Sequence, residues 1–214
     1  MIDEVIKILK KKVVHYKVPV VDLIEIQTKD PFKVLVTTIL SARTKDEVTH
    51  DAVKRLFKLV KKPKDFDKLT TKQIEKIIYP VGFYKTKARH LKKLPLSLQE
   101  NFNGKIPNVI EELIKLPGVG RKTANLVVAV AFKLPGMCVD THVHKISNRL
   151  GYIKTKTPLQ SEMALRKKLP LKYWETYNSM IVAFGQNICR PVSPWCSKCP
   201  IRKYCKRIGV KISR

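Results

Sequence analysis

The feature that most constrains this chain is the three- and four-residue spacing of its apolar side chains, which recurs through most of its 214 residues. Such a period places apolar residues on one face of a helix. No segment of comparable length alternates apolar and polar residues as a strand would. We therefore predict an all-α protein. One such helix is predicted directly after Asp30-Pro31, and its apolar face contains Phe32, Leu35, Val36, Ile39 and Leu40.

Capping sequences mark several predicted helix starts. Asp30 followed by a proline is typical of an N-cap and first turn. Thr44-Lys45-Asp46-Glu47 and Thr70-Thr71-Lys72-Gln73 both have the form of a capping box. Asp140 or Thr141 would cap a later helix in the same way. The apolar spacing predicts further helices at about 86–99, 108–115, 121–132, 141–150, 159–168 and 172–188.

The composition is strongly basic. The chain has 44 Lys and Arg residues against 17 Asp and Glu, a formal net charge of +27, and 44% of its residues are hydrophobic. The hydrophobic fraction indicates a folded protein and not a disordered basic tail. The charge favours a polyanion such as nucleic acid, because neutralised phosphates release their counterions. A highly soluble protein without a polyanionic ligand is the alternative.

Membrane and secretory classes are not favoured. The longest uninterrupted apolar run, Leu126 to Phe132, falls far short of the ~20 residues that a spanning helix needs. Met1-Ile2-Asp3-Glu4 carries acids where a signal peptide would be positive. We expect an intracellular protein, in which clustered cysteines favour metal binding over disulfides. The isolated Cys138 is predicted to be a small buried residue.

A glycine-containing turn separates two of the predicted helices. It reads Leu116-Pro117-Gly118-Val119-Gly120, and Arg121-Lys122 opens the second helix. Glycines let the main chain approach a ligand closely, and a helix start directs its N–H groups at a phosphate. Such a contact would position DNA without reading its sequence. The alternative is two helices joined by a glycine turn that binds nothing.

Four of the five cysteines lie in the last 26 residues. Cys189, Cys196, Cys199 and Cys205 have the spacing C-x6-C-x2-C-x5-C. Four thiolates so close in sequence can bind a [4Fe–4S] cluster or a tetrahedral zinc ion. Zinc ribbons usually contain two C-x2-C pairs, and the single pair here favours the cluster. The interleaved cations would face DNA phosphates or form a solvated surface: Arg190, Lys198, Arg202, Lys203, Lys206 and Arg207.

The segment from Val109 to Phe132, with Cys138-Val139-Asp140-Thr141-His142 after it, resembles the helix-hairpin-helix DNA glycosylases. The cysteine spacing resembles the endonuclease III group, and the likeness runs from about Pro31 to Cys205. It implies a two-lobed, all-α glycosylase fold with a C-terminal iron–sulfur cluster loop and a [4Fe–4S] cofactor. One lobe would be 24-134, with the helix-hairpin-helix at about 108-132. The other would combine 1-23 with 135-214, and DNA would bind between the two.

The same resemblance implies a bifunctional DNA glycosylase and AP lyase of base excision repair. It would remove oxidised pyrimidines of the thymine glycol type and cleave 3′ to the abasic site by β-elimination. Lys122 would attack the sugar and form a Schiff base, and Asp140 would stabilise the positive charge that develops there. In the superfamily, a lysine at this position marks the bifunctional members.

Other site residues are implied by position. Arg43, where many members have glutamine, would fill the space left by a flipped nucleotide and alter the opposite-base preference. Phe83 would be the apolar wedge that enters the base stack, or else a core residue that closes its turn. The turn residues Leu116, Gly118, Val119, Gly120 and Arg121 would contact DNA. The pocket candidates are Ser41, Asp46, Tyr84 and His142.

The implied partner is double-stranded DNA with a damaged base or an abasic site, and we expect a DNA-associated monomer with no membrane partner. In a prokaryote it would lie in the cytoplasm or nucleoid. A monofunctional mismatch glycosylase is one alternative, against which Lys122 argues. A non-catalytic iron–sulfur protein that binds DNA structures and an iron–sulfur redox sensor that binds DNA are the others.

Overall fold

The computed structural model describes residues 1–14, 16 and 30–214 of the chain. This part of the chain is helical and contains no strand, which confirms the all-α prediction. None of its helices is long and apolar enough to cross a membrane. The α-helices are α1 (Ile2–Val13), α2 (Pro31–Ser41), α3 (Asp46–Leu59), α4 (Thr71–Ile78), α5 (Tyr84–Phe102), α6 (Ile110–Leu113), α7 (Arg121–Phe132), α8 (Thr141–Arg149), α9 (Pro158–Lys168) and α10 (Trp174–Asn187). Short 3₁₀-helices span Pro63–Lys68, Leu171–Tyr173 and Arg202–Tyr204.

The described residues form two compact units that divide between Leu134 and Pro135. Residues 30–134 belong to one, which we call the hairpin unit. Helix α1 and residues 135–214 belong to the other, the cysteine unit. The sequence also predicts a boundary between residues 23 and 24, which lies outside the described residues and stays a prediction.

The hairpin unit is built around α2. The apolar residues that predict this helix are all buried, with Leu35 and Leu40 fully so. α2 packs against α3, α5 and α7, and α4 packs against α3 and α5. Two predicted caps are confirmed. The Asp30 carboxylate accepts a hydrogen bond from the Phe32 N–H at 2.9 Å, and Thr70 forms a capping box with Gln73.

Two predictions for this unit are wrong. Thr44 does not cap α3, whose N-cap is Lys45 without a side-chain hydrogen bond. The Thr44 hydroxyl instead binds groups about 40 residues away along the chain, described below. The helix predicted at 108–115 is the four-residue α6, which ends at Leu113. The chain then tightens, with Leu116 N–H bonded to the Leu113 carbonyl, because the following proline disfavours continued α-helix.

The cysteine unit has its own core. Val5, Ile6 and Leu9 of α1 are buried, and α1 packs against α10. α10 also packs against α8, and between these helices the buried hydroxyls of Ser147 and Tyr177 lie 3.0 Å apart. This packing fixes α8, the helix that begins directly after Asp140. Cys138 is buried as predicted, at 6% exposure.

Candidate functional site

The glycine turn joins α6 to α7 and uses its two glycines differently. Gly118 has a φ of +78°, and a Cβ there would lie 2.6 Å from the Nδ1 of His90. The position therefore excludes side chains for two independent reasons. Gly120 is the N-cap of α7 in extended conformation, and a Cβ there would meet nothing within 4 Å. The space before the first turn of α7 is consequently open to an approaching group.

The apolar residues of the turn face inward. Leu116 is 2% exposed and Val119 is 8% exposed, so their side chains belong to the core of the hairpin unit. Of the predicted DNA contacts, these two can offer only backbone groups. The Arg121 guanidinium lies 3.5 Å from the Glu111 carboxylate and so braces the two arms of the hairpin. Lys122 is exposed on the first turn of α7.

Asp140 has a structural role in the cysteine unit. Its carboxylate accepts a hydrogen bond from the Val143 N–H at 2.9 Å, which makes it the N-cap of α8. It remains partly exposed. Lys122 belongs to the hairpin unit and Asp140 to the cysteine unit.

Arg43 and Phe83 lie side by side although 40 residues separate them in sequence. The Arg43 guanidinium carbon is 5.6 Å from the centre of the Phe83 ring, a cation–π contact. Phe83 is 62% exposed, so the alternative of a core residue is wrong. Both have left-handed backbone, with φ of 54° and 57°. Non-glycine residues in that conformation cost about 1–3 kcal/mol each, and such strain concentrates at functional sites.

The pocket candidates occupy three places. Tyr84 begins α5 and makes an edge-on contact with the Tyr79 ring at 5.3 Å. Ser41 ends α2 with its hydroxyl bonded to the Thr38 carbonyl, and Asp46 is exposed in the first turn of α3. His142 lies in the other unit. It packs so closely on α10 that a Cβ on Gly185 would be 2.3 Å from its Nδ1.

Sequence reasoning missed Lys87. This lysine of α5 is 7% exposed, and its ammonium donates to the Leu40 carbonyl at 2.8 Å, the Ala42 carbonyl at 2.6 Å and the Thr44 hydroxyl at 3.2 Å. Burial lowers the pKa of Lys87 to about 8. The sequence contains a signal for the burial of this lysine. Lys87 falls on the same helical face as Leu91, Leu94 and Leu98, all of which are buried.

The four clustered cysteines line one cavity, which is partly open to solvent. Burial raises the pKa of the Cys199 thiol to about 11 and raises the pKa values of Cys189 and Cys205. In the part of the chain that the structure describes, no three His, Cys, Asp or Glu side chains are placed to hold a single metal ion. Four cysteines that line one cavity provide the thiolate ligands that an iron–sulfur cluster requires.

Arg149 connects this cavity to α8. Its guanidinium donates to the Cys189 sulfur at 3.4 Å and to the carbonyls of Arg190 at 2.8 Å and Pro191 at 2.7 Å. The C-terminal segment bonds to both elements: the Ile208 N–H donates to the Arg149 carbonyl at 3.0 Å, and the Arg214 N–H donates to the Pro194 carbonyl at 2.9 Å. The six interleaved cations of the loop are all exposed.

Comparisons with known proteins give the family. The HhH-GPD superfamily of base excision DNA repair proteins matches residues 36–171. Endonuclease III from Thermotoga maritima is 46% identical over 177 residues, which cover 83% of each chain.

Two solved structures are similar in fold. A trapped endonuclease III–DNA covalent intermediate is 38% identical with a TM-score of 0.75, covering 83% of this chain and 84% of that one. A non-covalent endonuclease III–DNA complex is 34% identical with a TM-score of 0.81, covering 96% and 94%. The chain therefore belongs to the HhH-GPD superfamily and, within it, to the endonuclease III family of DNA N-glycosylases and AP lyases.

Proposed function

We propose that this chain removes oxidised pyrimidines of the thymine glycol type from duplex DNA and cleaves the strand 3′ to the abasic site, with Lys122 as nucleophile and Asp140 as its assistant. The observation that carries this proposal is the exposed Lys122 on the first turn of α7, two residues after the open Gly120. The trapped covalent intermediate of a relative with 38% identity supports a covalent route.

The chemistry begins at the Lys122 amine. Its nitrogen forms a bond to C1′ of the damaged nucleotide while the C1′–N bond to the base breaks, and the base leaves with the electron pair. A proton passes from the Lys122 nitrogen to the departing base. The C1′–O4′ bond of the sugar ring then breaks, the ring oxygen takes a proton from water, and an iminium forms between Lys122 and C1′. Loss of a C2′ proton then breaks the C3′–O bond, which cuts the strand. Water releases the sugar fragment and returns the free lysine.

Asp140 would act through its charge. Positive charge develops on the sugar as the base departs, and an ionised carboxylate beside it lowers the barrier. The Val143 N–H donates a hydrogen bond of 2.9 Å to that carboxylate. Its cap position thus fixes its orientation.

DNA would be held by groups that read no sequence. The N–H groups at the start of α7, near Gly118 and Gly120, would face a phosphate. Arg43 and Phe83 would enter the gap left by the flipped nucleotide, since removal of a base from the stack costs a few kcal/mol. Ser41, Asp46, Tyr84 and His142 are the proposed pocket residues. Because its substrate is DNA, the protein would lie with the DNA inside the cell. It would act as a monomer.

The four clustered cysteines would hold a [4Fe–4S] cluster. Bound there, it would tie the C-terminal loop to the end of α10 by four iron–thiolate bonds. Arg149 would offset negative charge at the Cys189 sulfur, and the exposed loop cations would face phosphates.

Borohydride trapping tests the proposal. The substrates are a duplex with one thymine glycol and a matched duplex with one abasic site. We expect a covalent protein–DNA adduct with the wild type and with Lys115→Gln, an exposed lysine of the same hairpin, but not with Lys122→Gln. Absence of an adduct with wild-type protein that carries its cluster and binds DNA would contradict the bifunctional mechanism. Base release without an adduct would indicate a monofunctional glycosylase.

A further inference from the structure

Lys87 lies beneath the point where two separate loops meet. One loop follows α2 and carries Arg43; the other precedes α5 and carries Phe83. The ammonium of Lys87 comes from the first turn of α5 and reaches back to the end of α2. The last carbonyls of a helix have no partner within the helix, and a lysine can supply one.

The hydrogen bonding at this position is complete. An ammonium has three donors, and those of Lys87 go to the Leu40 carbonyl, the Ala42 carbonyl and the Thr44 hydroxyl. All three partners are neutral. The backbone on both sides of Arg43 is thereby fixed to α5 by one side chain.

Thr44 extends the connection to the second loop. Its hydroxyl oxygen accepts from Lys87 at 3.2 Å and from the Gly82 N–H at 3.2 Å. Gly82 in turn packs on the Arg43 carbonyl, because a Cβ there would lie only 2.4 Å from that oxygen. The residue after Gly82 is Phe83, so the network ends at the base of the exposed ring.

We propose that Lys87 is a positioning residue that joins the two loops, so that Arg43 and Phe83 enter the duplex as one preformed element. The inference rests on the proposed function, which places Arg43 and Phe83 in the gap left by a flipped nucleotide. The 5.6 Å contact between guanidinium and ring is the product of this connection. Two loops that were free to separate would have to be ordered during flipping, and that ordering would slow the step.

The chain offers a matched control for Lys87→Met. Lys92, also on α5, donates to the carbonyls of Phe66 at 3.1 Å and Asp67 at 3.2 Å. Lys92→Met therefore removes a lysine that also bonds two carbonyls, but away from the two loops. Lys87→Arg keeps donors, and Thr44→Val breaks the link to Gly82 without removing the ammonium. Thermal unfolding reports whether each variant is folded.

The experiment compares two substrates that differ in the free energy needed to flip the nucleotide. In the first, a duplex with thymine glycol opposite adenine, the nucleotide must be unpaired and unstacked, and the rate of single-turnover base release is measured. In the second, an abasic site inside a bubble of unpaired nucleotides, little unpairing is needed, and the rate of borohydride trapping is measured. We expect Lys87→Met and Thr44→Val to slow the first about tenfold and the second less than about threefold, tenfold being ~1.4 kcal/mol in the barrier. Lys92→Met should match the wild type on both, and Lys87→Arg should recover part of the loss.

Equal losses on both substrates, or rates that match Lys92→Met throughout, would overturn the inference. Failure of the wild type to form an adduct would instead count against the proposed function. In that case the fluorescence of 2-aminopurine placed next to the thymine glycol of the fully paired duplex still decides the question, since it reports unstacking without chemistry. We expect it to rise on binding of the wild type and of Lys92→Met, and to rise less with Lys87→Met. Equal increases would overturn the inference.

Discussion

The two units hold their candidate groups in different ways. In the hairpin unit, Arg43, Phe83 and Gly118 sit on loops in left-handed conformations, next to helices with buried apolar faces. In the cysteine unit, the thiols lie on a segment after α10 whose only described helix is the three-residue Arg202–Tyr204. The first arrangement is fixed by packing and hydrogen bonds of the chain. The second leaves four half-buried cysteines around a cavity.

The two units therefore differ in what stabilises them. Helix packing and the Lys87 hydrogen bonds are present in the polypeptide itself, so the hairpin unit requires no added group. The four thiols gain by coordination, because a metal centre replaces their protons and its binding is coupled to folding of the segment. The proposed cluster would therefore stabilise residues 189–214 and leave the hairpin unit almost unaffected.

Loss of one cysteine ligand is the strongest test of this contrast. Cys199→Ser should remove the visible absorbance of the cluster and several kcal/mol of local stability, since metal coordination is coupled to folding. Hydrogen exchange should accelerate at Ile208 and Arg214, whose N–H groups bond the carbonyls of Arg149 and Pro194. Amides of α2 and α7 should be unchanged. Cys138→Ala, at a buried cysteine outside the cluster, is the control.

Equal acceleration of exchange in both units would show that their stabilities are not separable. Retention of the absorbance in Cys199→Ser would contradict the proposed ligand set.

The two turn glycines test the hairpin unit. Gly118→Ala forces a side chain into a φ of +78° and against His90, and should lower the free energy of unfolding by about 2 kcal/mol. Gly120→Ala enters open space in an allowed conformation and should change it by less than about 0.5 kcal/mol. Urea unfolding measures both. DNA affinity should nonetheless fall with Gly120→Ala if a phosphate approaches the backbone there, and undiminished affinity would contradict that contact.

Local sequence predicted whatever depends on local physics. Asp30 and Thr70 cap their helices because each cap needs only an N–H two or three residues away. The cysteines share a cavity because they are close in sequence. Thr44 has the same local pattern, but its hydroxyl is taken by Gly82 and Lys87, which no local rule includes.

The contact between Arg43 and Phe83 was equally beyond local rules. The family resemblance implies a DNA contact for Arg43 and for Phe83 separately. Their proximity to each other depends on how α2 and α5 pack. Composition alone does not distinguish Lys87 from the other Lys and Arg residues, of which the chain has 44 in total. Its position on the buried face of α5 does.

The pH dependence of stability sharpens the role of Lys87. Burial lowers its pKa from 10.5 to about 8, so between these values the unfolded chain holds a proton that the folded chain has lost. Stability contributed by this group therefore rises from pH 8 to 10.5 and is lost as pH falls through 8. Relative to Lys87→Met, the wild type should gain about 1–2 kcal/mol over this range in urea unfolding. Lys92→Met gives the baseline for removal of a lysine from α5, and a constant difference would contradict the burial of a charged Lys87.

The smallest expected effect concerns the base opposite the lesion. The Arg43 guanidinium only donates hydrogen bonds and suits the O6 and N7 acceptors of guanine, whereas a glutamine amide both donates and accepts and suits adenine. Arg43→Gln should therefore lower the ratio of base-release rates opposite guanine and opposite adenine by about threefold, or ~0.6 kcal/mol. Arg55→Gln is the control, since Arg55 is an exposed arginine of α3 that donates to the Ile77 carbonyl. If the ratio is the same in both variants, Arg43 fills the gap by stacking on Phe83 and does not discriminate between opposite bases.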